Sequence, residues 1–129
     1  MADGLATSRL QLTIEADTAQ LVHMRDRLRR WLARHGQPAD DWLLVANELC
    51  TNSMAVSTDP IEIIMTLDAG EVVLEVTDTG PGFVLDLVNP LTTSTRRRGL
   101  WIVDQLTHRL AVAHREGRTT VIAARTLAG

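Results

Sequence analysis

Glu48 and Asn52 are the two residues of this sequence whose types and spacing first suggest chemistry. Both lie in a stretch, 38–56, whose pattern predicts an α-helix, and residues four apart on a helix share one face. A carboxylate and an amide on a half-apolar face are costly unless something satisfies them. A Mg²⁺ ion would do so, since it prefers oxygen ligands and takes others from substrate phosphates. The alternative is that Glu48 is a half-exposed helix residue and Asn52 a helix-end residue, and that neither binds a ligand.

Asp78, Gly80 and Gly82 form a second candidate group, in the segment Asp-Thr-Gly-Pro-Gly that directly follows a predicted strand. Glycine adopts backbone conformations closed to other residues, and it also lets a flat ligand approach closely. Asp78, at the strand end, could accept a hydrogen bond from an exocyclic amine such as that of adenine. Equally, the glycines could serve only a turn. The segment is neither a Walker loop nor the dinucleotide motif Gly-x-Gly-x-x-Gly.

A third group surrounds Gly99, where Arg96, Arg97 and Arg98 precede an apolar stretch that begins at Leu100. We predict that Gly99 opens a short helix, and the free N–H groups at a helix start bind anions. Arginines beside such a site could neutralise phosphates. The same three arginines could instead form a solvated run or a patch for an acidic partner.

Composition excludes several classes of function. Thirteen basic against sixteen acidic residues give a net charge of −3, so no basic field indicates direct binding to nucleic acid. The single cysteine cannot form an internal disulfide, and no apolar run resembles a signal sequence or a membrane span. We therefore expect a cytoplasmic protein that does not bind a membrane. Surface or packing roles are predicted for the histidines, which lack metal-ligand spacing with each other or with Cys50: His23, His35, His108 and His114.

The elements that must position these groups follow in the order strand, helix, helix, strand, strand, loop, helix, strand, strand. Alternating or apolar runs predict strands at 10–14, 61–67, 72–76, 109–115 and 119–126. Helices are predicted from Asp17 or Thr18 to His35, over 38–56 and over 100–106.

Short connections between paired strands imply a mostly antiparallel mixed sheet of about five strands, covered on one face by three helices. This is an α/β (α+β) two-layer sandwich. Residues 83–98 have no regular pattern, which is typical of a lid or binding loop. We expect a flexible tail over 1–8 and a single domain over 9–129.

Taken together, the motifs resemble those of the GHKL ATPases, which include gyrase, the histidine kinases and MutL. The resemblance covers residues 10–127. In chain order, it is carried by Glu-Leu-Cys-Thr-Asn, Asp-Thr-Gly-Pro-Gly, Arg-Gly-Leu-Trp-Ile-Val and, in the last hairpin, Gly-Arg-Thr-Thr-Val. The small size and the opening strand and helix resemble the anti-sigma-factor serine/threonine kinases of bacteria.

The resemblance implies roles for residues near the phosphates of ATP. Glu48 matches the general base that orients or deprotonates the attacking hydroxyl. Asn52 matches the ligand that ties Mg²⁺ to the phosphates. Gly99 and Leu100 match the helix start beneath the phosphates, with Arg98 directly before them.

The resemblance also implies an adenine site. Asp78 matches the aspartate that binds the adenine amine, and Gly80 and Gly82 match the glycines beneath the base. Thr119 matches a threonine near the adenine, on the strand beside Asp78.

The implied function is that of an ATP-binding anti-sigma-factor regulator. It would hold a sigma factor inactive and phosphorylate a serine or threonine of a STAS-type anti-sigma-factor antagonist, as a homodimer that meets through its first helix and opening strand. One departure favours an alternative: Arg97 stands where the family often has glycine, which would stiffen the lid. The alternative is a catalytically degenerate GHKL module that binds nucleotide or protein without turnover.

Overall fold

Five strands form one sheet in which all neighbours run antiparallel, in a computed structural model that describes residues 8–85 and 95–127. The strands are β1 (Ser8–Ile14), β2 (Ile61–Asp68), β3 (Glu71–Asp78), β4 (Arg109–Arg115) and β5 (Arg118–Thr126). Their spatial order is β1-β2-β3-β5-β4, so the last strand lies between β3 and β4. The end of β3 and the start of β5 are therefore neighbours, although about forty residues separate them in the chain.

Three α-helices pack on one face of this sheet, which confirms the predicted two-layer architecture. They are α1 (Leu21–Arg34), α2 (Asp40–Val56) and α3 (Thr95–Leu106). Asp17 caps a short 3-10 turn before α1, because its Oδ1 accepts the Ala19 N–H at 3.0 Å. Gly36, with φ of 67°, follows the end of α1 as predicted for a left-handed cap. Across the described residues, no helix is both long and apolar enough to cross a membrane.

Two hairpin turns fix the register of the sheet. Ala69 and Gly70 have φ of 50° and 83°, and Glu116 and Gly117 have φ of 54° and 74°. Positive φ at both central residues is the type I′ geometry that matches the twist of antiparallel strands. Because the second turn has only two residues, the pairing of β4 with β5 begins at Arg115 and Arg118, which flank the turn.

The core lies between the sheet and the helices. Alternate residues of each central strand point to the helices and are fully buried, whereas their neighbours are only partly covered. Burying one Leu, Ile or Val side chain stabilises a fold by roughly 1.5–3 kcal/mol. Among the largest fully buried side chains are Ile14, Met24, Leu28, Leu32, Val45, Leu49, Ile61, Ile63, Met65, Leu74 and Val76.

The start of α3 was predicted wrongly. The helix begins at Thr95 rather than at Gly99, so Gly99 lies inside it. Arginine is a good helix former, and the arginine run extends the helix backward although its charge suggested a solvated loop. The N–H groups that lack a partner within a helix belong to its first four residues, here 95–98. An anion site at this helix would therefore lie one turn before the predicted position.

Two further predictions concern the edges of the described ranges. β1 begins at Ser8, whose Oγ lies 2.9 Å from His35 Nε2, so this residue belongs to the sheet and not to the predicted tail. Residues 1–7 lie outside the described ranges. So do residues 86–94, which form the middle of the predicted lid.

The buried cysteine gives a test of this packing. Burial raises the pKa of the Cys50 thiol to about 12, so at neutral pH the sulfur stays protonated and unreactive. We expect a maleimide dye to leave the native protein unlabelled and to add to one thiol per chain in guanidinium chloride, as measured by mass spectrometry. Raising the pH should not speed labelling until the pH nears 12 or the fold is lost. Rapid labelling of native protein at neutral pH would show that α2 does not pack as described.

Candidate functional site

Gly80 is held through both of its backbone groups by side chains from two strands. Asp78, at the end of β3, accepts the Gly80 N–H on Oδ1 at 2.7 Å. Thr119, its register partner on β5, donates its hydroxyl to the Gly80 carbonyl at 3.0 Å. Both side chains are buried, with 5% and 2% of their surface exposed. The predicted residues Asp78, Gly80 and Thr119 therefore form one hydrogen-bonded unit.

The two glycines of this segment are needed for different physical reasons. Gly82 has φ of +79°, a left-handed conformation that favours glycine. Gly80 does not have a positive φ, but it is closely surrounded. A Cβ there would lie 2.7 Å from Val56 Cγ2 and 2.9 Å from Asp78 Oδ1. The expectation of a special backbone conformation is thus correct for Gly82, whereas Gly80 is required by the lack of space.

A ring of three hydrogen bonds joins the end of α2 to the same loop. The Thr79 hydroxyl donates to Asp59 Oδ2 at 2.6 Å, so the Ser57 hydroxyl, 2.9 Å away, must donate to Thr79. Ser57 Oγ in turn accepts the Asp59 N–H at 3.2 Å. The ring fixes the position of α2 relative to the loop after β3.

Asn52 carries a buried polar atom without a partner. Its Nδ2 has no hydrogen-bond acceptor among the residues that the structure describes. Leaving a buried amide unpaired costs about 1–3 kcal/mol, and such an atom in a native protein calls for an explanation. Asn52 lies on α2 one turn before Val56, which contacts Gly80, and a ligand with acceptor oxygens would satisfy its amide.

The fold brings two predicted site residues into contact, Glu48 of α2 and Gly99 of α3. A Cβ at position 99 would collide with Glu48 Oε1, so any other residue there would displace this carboxylate from its present position. Leu100 has 3% of its surface exposed and belongs to the core, so only its backbone could face a ligand. Arg98 is exposed.

These residues fit a magnesium–nucleotide complex. Within the described ranges, no group of three or more His, Cys, Asp or Glu side chains could hold a metal ion. An ion at Asn52 would thus take most ligands from water and phosphates, which is the usual mode for Mg²⁺. An amide offers its Oδ1 to the ion and its Nδ2 to a phosphate oxygen.

Sequence reasoning missed His114 and the hydroxyl ring at the end of α2. His114 Nδ1 lies 2.8 Å from Thr119 Oγ1, and its ring packs against Gly82. The hairpin contained a usable signal: a two-residue turn at 116–117 pairs position 115 with 118 and position 114 with 119. The hydroxyl ring has no comparable signal, because its members come from separate segments.

Comparison with known proteins gives the family. The family model of the histidine kinase-like ATPase domain matches residues 14–125. The chain belongs to this family, which confirms the GHKL resemblance of its motifs. No curated protein sequence matches it.

A similar fold occurs in the crystal structure of the RsbU and RsbW domains of Rv1364c from Mycobacterium tuberculosis. The TM-score is 0.72, with 23% sequence identity over 93% of this chain. This chain covers 32% of the length of that one. At this identity the likeness concerns the fold.

The crowding at Gly80 predicts a coupled effect on stability. Gly80→Ala should lower the free energy of unfolding by about 1–3 kcal/mol, because the new methyl group meets the branched Val56 side chain. In a Val56→Ala background the same change should cost clearly less, since Cγ2 is gone. Urea unfolding of the four proteins of this cycle measures both effects. Equal costs in the two backgrounds would show that Val56 does not limit the space.

Proposed function

We propose that this chain binds ATP with Mg²⁺ and transfers the γ-phosphate to a serine or threonine of a STAS-type anti-sigma-factor antagonist. The observation that carries the proposal is the buried unit of Asp78, Gly80 and Thr119 in a chain of the histidine kinase-like ATPase family. Its second activity would be to hold a sigma factor inactive. We place this homodimeric regulator in the cytoplasm.

Base recognition would depend on Asp78. Its Oδ1 is already committed to the Gly80 N–H, so Oδ2 is the oxygen left to accept the exocyclic amine of adenine. Gly80 and Gly82 present no side chains, which lets the flat base lie against the loop backbone. The hydrogen bonds from two strands keep this loop in shape before ATP arrives, so little ordering is needed on binding.

Phosphate binding would involve α2 and the start of α3. Asn52 would hold Mg²⁺, which neutralises charge on the phosphates during transfer. The free N–H groups at residues 95–98 point toward the N-terminal end of α3, where they would meet phosphate oxygens with Arg98 nearby. Gly99 and Leu100 lie inside α3, so Gly99 would contribute through its contact with Glu48 and Leu100 through core packing that holds the helix in place.

Glu48 would act as the general base. It lies one helical turn before Asn52, so the carboxylate and the amide share one face of α2. Its Oε1 lies against Gly99, at the point where α3 passes α2. There it would accept the proton of the attacking hydroxyl, and positioning supplies most of the remaining catalysis in phosphoryl transfer.

Substitution of Asp78 tests the nucleotide site. Asp78→Asn keeps an oxygen for the Gly80 N–H but replaces Oδ2 by an NH₂ group, which would meet the adenine amine donor to donor. We expect the Kd for ATP with Mg²⁺ to rise by about 10- to 100-fold, since a hydrogen bond to a charged group contributes about 1.5–3 kcal/mol. Isothermal titration calorimetry measures the change.

Glu75→Gln is the matched control, because Glu75 lies on the same strand but on the opposite face of the sheet. It should bind ATP like the wild type. No saturable ATP binding by the wild type would overturn the proposal, and equal Kd values for Asp78→Asn and the wild type would remove Asp78 from the site.

Glu48→Gln separates the kinase from the degenerate alternative. We expect this variant to bind ATP normally but to transfer the γ-phosphate about 10²–10⁴-fold more slowly, because it lacks the base. The assay follows label from the γ-phosphate of ATP into purified STAS-type proteins of the source organism. The alternative, favoured by Arg97 lying within α3, predicts ATP binding with no transfer by wild type or variant.

A further inference from the structure

His114 lies in one row with Asp78 and Thr119. On the register of the sheet, Asp78 of β3 is opposite Thr119 of β5, which is opposite His114 of β4. Directly opposite residues point to the same face, so all three side chains lie on the helix-covered side, where the loop leaves β3. The row ends at the edge strand, and His114 is its exposed member.

The hydrogen bonds of Thr119 determine the tautomer of His114. A hydroxyl has one proton to donate, and Thr119 donates it to the Gly80 carbonyl at 3.0 Å. His114 Nδ1, at 2.8 Å from the same hydroxyl oxygen, must therefore be the donor in their contact. The neutral ring thus carries its proton on Nδ1, and the Thr119 hydroxyl is held in one rotational position.

The ring of His114 also supports the glycine loop. A Cβ on Gly82 would lie 2.9 Å from Cγ and 3.0 Å from Nδ1 of His114, so the imidazole packs directly against the Gly82 backbone. His114 therefore contacts the loop at Gly82 and, through Thr119, at Gly80. The contact at Gly82 is packing of the ring, whereas the contact at Gly80 consists of hydrogen bonds through Thr119.

We propose that His114 is a positioning residue that sets the base specificity of the nucleotide site, an inference that rests on the proposed function. It acts by fixing the proton of Thr119. The hydroxyl proton is donated to the Gly80 carbonyl and one lone pair accepts from His114 Nδ1–H, so the Thr119 oxygen can offer a ligand only its second lone pair, as an acceptor. Together with Asp78 Oδ2, this surface favours a base edge that carries an amine and disfavours one that carries a carbonyl.

Adenine and hypoxanthine differ in this way, since hypoxanthine has a carbonyl where adenine has its amine. In the wild type, the carbonyl oxygen of hypoxanthine would face only the acceptor oxygens of Asp78 and Thr119. Inosine triphosphate should therefore bind more weakly than ATP. Without His114, the Thr119 hydroxyl is restrained only by its bond to the Gly80 carbonyl, and it can exchange that bond for one to a ligand carbonyl, directly or through a water. Removal of His114 should therefore weaken ATP binding and narrow the preference for ATP over inosine triphosphate.

The tautomer can be tested without any ligand. Nitrogen chemical shifts of the His114 ring, recorded at alkaline pH where an imidazole is neutral, should show the proton on Nδ1. His114→Ala identifies the signals by their loss. A proton on Nε2 would overturn the inference whatever the protein binds.

The specificity is tested by calorimetric titration of ATP and inosine triphosphate, each with Mg²⁺. For His114→Ala, the Kd for ATP should rise about 2- to 10-fold, as expected for one neutral hydrogen bond, and the Kd ratio between the two nucleotides should fall by a similar factor. His114→Asn should restore both values to within about twofold of the wild type, because its amide N–H can occupy the position of Nδ1. His114→Phe keeps a ring over Gly82 without a donor, so it should lose the discrimination.

His108→Ala is the control for loss of a histidine, since His108 contacts Glu71 and Thr126 at the other end of the sheet. It should behave like the wild type. Protection of Cys50 from maleimide confirms that each variant is folded. If the wild type binds ATP and His114→Ala has the same Kd values and ratio, the inference falls while the proposed function stands. A wild type that binds no ATP overturns both.

Discussion

A carboxylate that is almost completely buried must find a hydrogen-bond donor, and Asp78 finds it in the backbone two residues later. This bond turns the chain back on itself at the end of β3. The Thr119 hydroxyl then holds the carbonyl of the same Gly80, so the loop is fixed by two strands that are distant in sequence. The shape of the loop that follows β3 depends on these two bonds.

The other half of the site is placed by contact with this loop. Val56 lies against Gly80, and the ring of Ser57, Thr79 and Asp59 joins the end of α2 to the loop. One turn earlier, α2 carries Asn52, and another turn earlier Glu48. Because α2 is continuous, the loop, the unpartnered amide and the carboxylate have fixed relative positions. Such preorganisation suits phosphoryl transfer, in which positioning contributes more than covalent chemistry.

The sequence predicts much of this arrangement where the signal is local. Alternating apolar residues and short turns predicted all five strands, and the end of a predicted strand indicated Asp78, whereas Thr119 was expected only from the family resemblance. The sequence could not reveal the crowding at Gly80 or the close approach of the Glu48 carboxylate to Gly99, since Val56 and Glu48 lie far from these glycines in the chain. The start of α3 was misplaced because a run of arginines fits both a solvated loop and a helix. His114 was assigned only a surface or packing role, because its hydrogen bond to Thr119 depends on an edge-strand pairing that composition does not show.

The position of β5 has a consequence for synthesis of the protein on the ribosome. The strand that carries Thr119 enters the sheet between β3 and β4, and it is the last of the described strands to be made. Until it emerges, Asp78 has no partner across the sheet and β4 has no neighbour. A nascent chain can form the hairpin of β2 and β3 and pack α2 on it, but the hydrogen bond from Thr119 to Gly80 forms only when β5 is inserted. The growing polypeptide should therefore complete the candidate site abruptly, at the end of translation of this domain.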